Sequence, residues 1–167
     1  MATMIVQKMR PAFDLGVSPR ILNLRETAST AATTLSKGAV VTLSGGYISK
    51  CSTDPTAICG VAAEDAHNYS AVGDKNTIAV YVAEPGTVFV ANVCSTSTTA
   101  ATAITDVGKT YGIYEDTNGN WCIDKGDTAN SRVIIENYVR NPDAVGDTSG
   151  RLYFRFMGKF CQLHITS

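Results

Sequence analysis

The segment from Lys37 to Val93 constrains the fold most, because short apolar runs alternate there with residues that turn the chain. Ala39 to Leu43 is a short β-branched run, and Gly45-Gly46 follows it. Two glycines can both take positive φ, which suits a tight hairpin, so Tyr47-Ile48 opens a return strand. Ile58 to Ala63 is another apolar run, closed by Glu64-Asp65, and Gly73-Asp74 marks a further turn. Ile78 to Ala83 is nearly all apolar, as expected of a strand buried on both faces or set in a barrel wall. Glu84-Pro85-Gly86 stops it, since proline fixes φ at one turn position and glycine frees it at the next. Thr87 to Val93 then resumes with Val88, Val90 and Val93 among β-formers. The fold class expected is all-β, a small β-barrel or β-sandwich.

The rest of the chain fits around that segment. Its 167 residues suit one domain with an extended arm. Charged residues are sparse at 17%, and small polar residues take their place, which suits β-structure rather than a helical bundle. The net charge of −1 supplies no concentrated Lys and Arg for nucleic acid. No apolar run approaches a membrane span. The opening MATMIVQKMRPAF lacks a long apolar stretch followed by a small-residue cleavage site, so no secretory signal is expected.

Residues 1–36 read as an N-terminal arm and residues 37–167 as the β-domain. The arm contains Pro11 and the breaker Ser18-Pro19-Arg20, and it ends in an Ala/Ser/Thr-rich stretch with no sustained period. Its apolar residues Ile5, Val6, Met9, Phe13, Leu15, Ile21, Leu22 and Leu24 exceed what a solvated tail needs. They are the candidate partner-binding residues, on an arm that orders against a neighbouring subunit by strand addition or wrapping.

After Val93 comes a low-complexity run of Ser, Thr and Ala, either surface loop or edge strand. Asp106-Val107-Gly108-Lys109 reads as a turn, and Tyr111 to Glu115 as a strand. Asp116-Thr117-Asn118-Gly119-Asn120 offers oxygen ligands, with Asp124 and Asp127 following, but it lacks the glycine position and closing Glu of a calcium loop. A hairpin turning through Asn118-Gly119 as type I′ is the plainer expectation, with Trp121-Cys122-Ile123 returning. Ser131 to Arg140 reads as a strand because of its β-branched residues. Arg151 to Met157 and Phe160 to Thr166 read as a closing hairpin, with Leu152, Phe154 and Phe156 sharing the inward face.

Five cysteines, Cys51, Cys59, Cys94, Cys122 and Cys161, are widely spaced with no CxxC, and His67 and His164 complete no zinc pattern. They are expected to be free and mostly buried in a reducing cytoplasm; one or two pairs would form in oxidising surroundings. No cofactor or metal is expected. There is no phosphate loop, GxSxG or HExxH. His67 near Glu64-Asp65 reads as surface loop, and Glu64 and Glu84 lack a base or nucleophile nearby in sequence. No enzymatic activity is expected.

Three segments in fixed order carry a resemblance: Lys37-Gly-Ala-Val-Val with Gly45-Gly46, Gly60-Val-Ala-Ala-Glu-Asp-Ala66, and Val82-Ala-Glu-Pro-Gly-Thr-Val-Phe89. Together they resemble the head-decoration, or capsid cement, proteins of tailed bacteriophages over about a third of the chain. The resemblance implies a β-rich protein, a homotrimer, binding the major capsid protein on the outside of an expanded head, with its arm contacting the shell. The alternative is a β-sandwich binding module for carbohydrate or cell surfaces, with Trp121, Tyr111, Tyr114 and Tyr153 as a stacking platform.

Overall fold

The computed structural model describes residues 7–16, 18–28, 34–71, 76–96, 98–139 and 143–164. The turn at Gly73-Asp74 and residues 29–33 of the Ala/Ser/Thr stretch of the arm lie outside them. Within them the chain is nearly all β. Its strands are β1 (Arg10–Pro11), β2 (Ile21–Glu26), β3 (Val40–Ser44), β4 (Tyr47–Lys50), β5 (Gly60–Ala62) and β6 (Thr77–Val82), then β7 (Phe89–Ser95), β8 (Thr98–Thr99), β9 (Thr110–Glu115), β10 (Trp121–Asp124), β11 (Val133–Tyr138) and β12 (Arg151–Phe156).

The first five-stranded unit is a closed barrel in the order β2-β4-β3-β5-β6. The β3–β4 hairpin turns at Gly45 and Gly46, whose φ angles are +57° and +86°, the pair of positive values a tight hairpin requires. β6 alternates as a barrel wall does, with Ile78, Val80 and Val82 buried between more exposed residues. Glu84-Pro85-Gly86 closes a turn in which the Thr87 N–H donates to the Glu84 carbonyl (2.9 Å). Gly86 is not among the positive-φ residues, so its freedom is not used there.

The second sheet runs β1-β7-β10-β9-β11-β12, and an additional β7–β12 pairing brings it back to β7. The strands β7, β10, β9, β11 and β12 therefore also form a ring, with β1 and β8 attached to β7 from outside. The two rings have the same topology. In each, the first strand pairs in parallel with the third, and the remaining pairings are antiparallel. The registers agree as well. Gly60, Val61 and Ala62 face Val82, Tyr81 and Val80, as Val133, Ile134 and Ile135 face Phe156, Arg155 and Phe154. Leu43 faces Ile48 as Ile113 faces Ile123, and Leu24 faces Ile78 as Ala91 faces Leu152.

The entry turns repeat bond for bond. The Ala39 N–H donates to Ser36 (3.0 Å), the Gly38 N–H to Ala62 (2.8 Å) and the Ala62 N–H to Ala39 (2.9 Å). Their counterparts are Lys109 to Asp106 (3.0 Å), Gly108 to Ile135 (2.9 Å) and Ile135 to Lys109 (2.9 Å). Gly38 and Gly108 sit at φ +83° and +82°, where an L side chain is strained. The chain is a tandem pair of equivalent barrels. The sequence carries a faint trace of it: Thr30-Ala31-Ala32-Thr33 returns as Thr99-Ala100-Ala101-Thr102, and Ala71-Val72-Gly73-Asp74 as Ala144-Val145-Gly146-Asp147.

One hydrophobic cluster spans both barrels, from Val40, Ile48 and Val80 to Phe89, Trp121 and Phe154. Polar contacts fix the junction. The loop after β4 inserts Asp54, whose Oδ1 accepts the Ile113 N–H (2.9 Å), and Arg132 donates to the carbonyls of Pro55 (2.6 Å) and Asp54 (2.7 Å). The Arg132 guanidinium also lies 4.4 Å from the Phe160 ring centroid.

Four expectations are corrected. First, the segment before residue 37 is not an arm with little core of its own. β2 pairs with β6 from Ile21 to Arg25 and closes the first barrel, and Met9 is fully buried. Second, the described residues after β12, to residue 164, do not return as a strand. They make a short 3-10 turn, Gly158–Phe160, and Cys161 bridges Ile58 of the first barrel, while β12 takes β11 and β7 as partners. Third, Cys94 and Cys122 form a disulfide, leaving Cys51, Cys59 and Cys161 as buried thiols. The parallel β7–β10 pairing brings the two residues to a Cα–Cα distance of 6.0 Å, within bridging range, a closeness their separation of 28 positions hides. Fourth, the 116–120 hairpin is not type I′. Gly119 alone has positive φ (+74°), and the Asp116 carboxylate caps the loop by accepting the N–H groups of Asn118 (2.9 Å) and Asn120 (2.7 Å).

Candidate partner-binding surface

The residues singled out in the arm are divided by the barrel geometry. Along β2 the side chains alternate: Leu22, Leu24 and Glu26 turn inward, and Ile21, Asn23 and Arg25 turn outward. Leu22 and Leu24 are half-buried, and Leu24 packs on the core. Met9 belongs to that core too. Ile5 and Val6 lie outside the described residues. Three of the group remain on the surface as large exposed apolar side chains: Phe13 (47% exposed), Leu15 (55%) and Ile21 (53%). Phe13 and Leu15 sit on the 3-10 turn Phe13–Leu15, which ends at Gly16 in the left-handed region.

Phe13 and Ile21 are linked through Tyr81 on β6. Ile21 is its cross-strand neighbour, and the Phe13 ring meets it edge-on, 5.6 Å between centroids. The result is an outward apolar face on the β2/β6 wall, rimmed by the Arg20–Glu84 ion pair (2.9 Å). The same wall of the second barrel is covered. There Ala12, Val90, Val139 and Tyr153 form a small buried cluster of their own. The Tyr153 hydroxyl also donates to Asp14. Burial and this bond to a carboxylate raise the Tyr153 pKa to about 12.

The other candidate groups are engaged structurally. His67 does not pair with Glu64 or Asp65. Its Nδ1 lies 2.5 Å from Oε1 of the buried Glu26, which also accepts the N–H groups of His67 (2.9 Å) and Asn68 (3.1 Å). Burial pushes the Glu26 pKa up, and the bonds from His67 and Asn68 outweigh it, leaving the carboxyl below its usual range. Glu64 accepts the Ala79 N–H (2.7 Å), and Asp65 accepts the Lys37 N–H (2.8 Å). Glu84 is held by Arg20.

Trp121, Tyr111 and Tyr153 are buried, so they offer no ring face to a sugar, and the stacking platform is withdrawn. Among the described residues no three His, Cys, Asp or Glu side chains converge to hold a metal ion, and no helix is long and apolar enough to cross a membrane. A pocket of about 140 Å³ lies beside the disulfide, lined by Asn92, Thr98, Thr99, Tyr114 and Ser149 among others. It is well below the roughly 300 Å³ at which small-molecule sites begin.

Comparison with known proteins finds no matching family model, no matching curated protein and no matching solved structure.

Proposed function

We propose that this chain is a capsid decoration protein, binding the outside of an expanded phage head and bridging neighbouring major capsid protein subunits. The observation that carries the reading is the outward apolar face of Phe13 and Ile21 around Tyr81, with exposed Leu15 on the same turn as Phe13, on a double barrel. Exposed apolar clusters rimmed by charge mark protein–protein surfaces. The resemblance of the Lys37–Phe89 segments supplies the partner. The role is structural rather than catalytic: a clamp across a seam buries interface that must be lost before the shell opens. A homotrimer on the virion exterior is the assembly this reading favours.

Co-sedimentation with expanded and unexpanded heads tests it. Saturable binding to expanded heads alone, at a fixed copy number per capsomer, supports the clamp, and binding to neither removes it. Deleting residues 1–24 is not the right perturbation, because it takes most of β2 out of the first barrel. Phe13→Asp with Ile21→Asp is: both side chains are exposed, so head binding should fall while the melting temperature hardly moves.

A further inference from the structure

The two barrels differ at one place on their first strands. In the second barrel the flank of β7 that β10 does not reach is filled. β1 lies antiparallel against Phe89 and Val90, and the Ala12 N–H donates to the Val88 carbonyl (2.9 Å). In the first barrel no described strand fills the matching flank. β4 reaches only Arg25 and Glu26, and among the described residues no strand covers that side of β2 at Ile21–Asn23.

The shared register equates Ile21 with Val88 and Asn23 with Val90. The backbone is aimed accordingly. The Val82 N–H donates to the Arg20 carbonyl and the Glu26 N–H to the Asn76 carbonyl, so the even-numbered residues of β2 face β6. The N–H and C=O groups of Ile21 and Asn23 therefore point to the open side. Both residues are exposed. An unpaired strand edge beside an apolar face is a template for another strand.

We propose that this edge of β2 accepts one extended segment of a different protein, running antiparallel to it as β1 runs on β7. Stoichiometry argues against a second copy of this chain. Among the described residues each chain has two such positions and one β1 segment, and that segment already occupies β7. Another copy could fill β2 with it only by exposing its own Val90 and Tyr153. The filled position describes the occupant: extended, small where it lies opposite Ile21, as Ala12 is small opposite Val88, and apolar towards Tyr81. Naming the donor as a capsid subunit rests on the function proposed above; the acceptor edge does not.

Asn23→Pro removes the N–H at the centre of the edge. Proline fits there because this N–H faces away from β6 and Leu22 is already extended. Asn23→Ala, which keeps the N–H, is the control. In one experiment the full chain is titrated with a peptide of the sequence Lys8–Phe13 and followed by amide NMR. Saturable shifts at Ile21–Asn23, kept in Asn23→Ala and lost in Asn23→Pro, support the acceptor; no shifts there overturn it. In a second, expanded heads should bind Asn23→Pro at least about tenfold more weakly than the wild type or Asn23→Ala. Equal binding overturns strand addition and leaves the capsid reading standing. Heads that bind none of the three overturn the capsid reading, and the peptide result still decides the acceptor. Should Asn23→Pro lower the melting temperature, hydrogen exchange of the wild-type Asn23 amide decides instead: protection on heads supports the proposal, and unchanged exchange overturns it.

Discussion

Phe154→Ala should be among the most damaging single changes. Phe154 is fully buried on β12, opposite Ile135 on one side and Phe89 on the other. Its ring lies 5.3 Å from Phe156 at 88° and 6.0 Å from Phe89. Phe89 and Phe156 are also in contact, at 5.1 Å and 65°, so the three rings form a closed triangle at the centre of the second barrel. Truncating a buried phenylalanine costs about 3–5 kcal/mol, the upper end applying where neighbours cannot collapse into the gap. Strands hydrogen-bonded on both flanks of β12 restrict that collapse. Domains are stable by only about 5–15 kcal/mol, so the change removes a third or more of the total in most of that range. For a chain of this length each kcal/mol moves the melting temperature by about 2–4 °C, which gives a drop of about 6–20 °C. Urea unfolding at constant m-value is the assay. Because one cluster spans both barrels, the transition should stay single, the first barrel melting with the second. A loss below about 1.5 kcal/mol, or a first barrel that melts unchanged, would refute the argument from the shared core.

Three further outcomes follow from the same contacts. Replacing Cys94 and Cys122 by serine frees a loop closed across 28 positions, which loop-closure entropy values at about 3.5 kcal/mol; an oxidised wild type no more stable than the double variant would contradict it. Burial raises the pKa of Asp106, but the Lys125 ammonium (2.7 Å), the Ala103 N–H (2.8 Å) and the Tyr111 hydroxyl (2.8 Å) outweigh it and hold the carboxyl below its ordinary 3.8. With the folded pKa depressed, its stabilisation is complete above that value and lost as pH falls through the folded pKa. Asp106→Asn should therefore flatten the acid limb of a stability–pH curve, and an unchanged limb would assign the acid loss elsewhere. Gly60→Ala places a Cβ 2.1 Å from the Tyr81 carbonyl oxygen, a backbone atom that cannot swing aside, so the variant should lose several kcal/mol or fail to fold in a solubility and melting assay.

The local features of this fold were legible in the sequence. The Gly45-Gly46 hairpin, the Asp106–Lys109 turn and the inward row of Leu152, Phe154 and Phe156 are each specified by a few adjacent residues, and each is present. What stayed hidden depends on pairing over distance. Ile21-Leu22-Asn23-Leu24 becomes a barrel strand because β6, more than fifty residues later, supplies its partner. No local period announces that. Cys94 and Cys122 meet through a parallel pairing, which no hairpin signal marks. The duplication was obscured because equivalent positions conserve register rather than chemistry: Val80 matches Phe154 and Ala62 matches Ile135, different residues at the same place. The repeated Thr-Ala-Ala-Thr and Ala-Val-Gly-Asp motifs were the available signal. Of the candidate surface, Phe13, Leu15 and Ile21 could be chosen as apolar residues in a polar segment, but only the folded wall shows that Tyr81 joins Phe13 to Ile21 and that Met9 is taken into the core.

In both barrels the first strand is sealed by the last. On a growing chain this imposes an order of events. β2 leaves the ribosome early yet has no partner on its β6 side until Thr77–Val82 emerges, several seconds later at ~5–20 residues per second. The first barrel can then close while β9 to β12 are still unmade, and the Gln7–Ala12 segment must wait longer still, for β7. Synthesis thus delivers a closed ring of strands whose core is still missing its second half, and the residues around Cys161, which follow β12, dock back onto the ring that closed first.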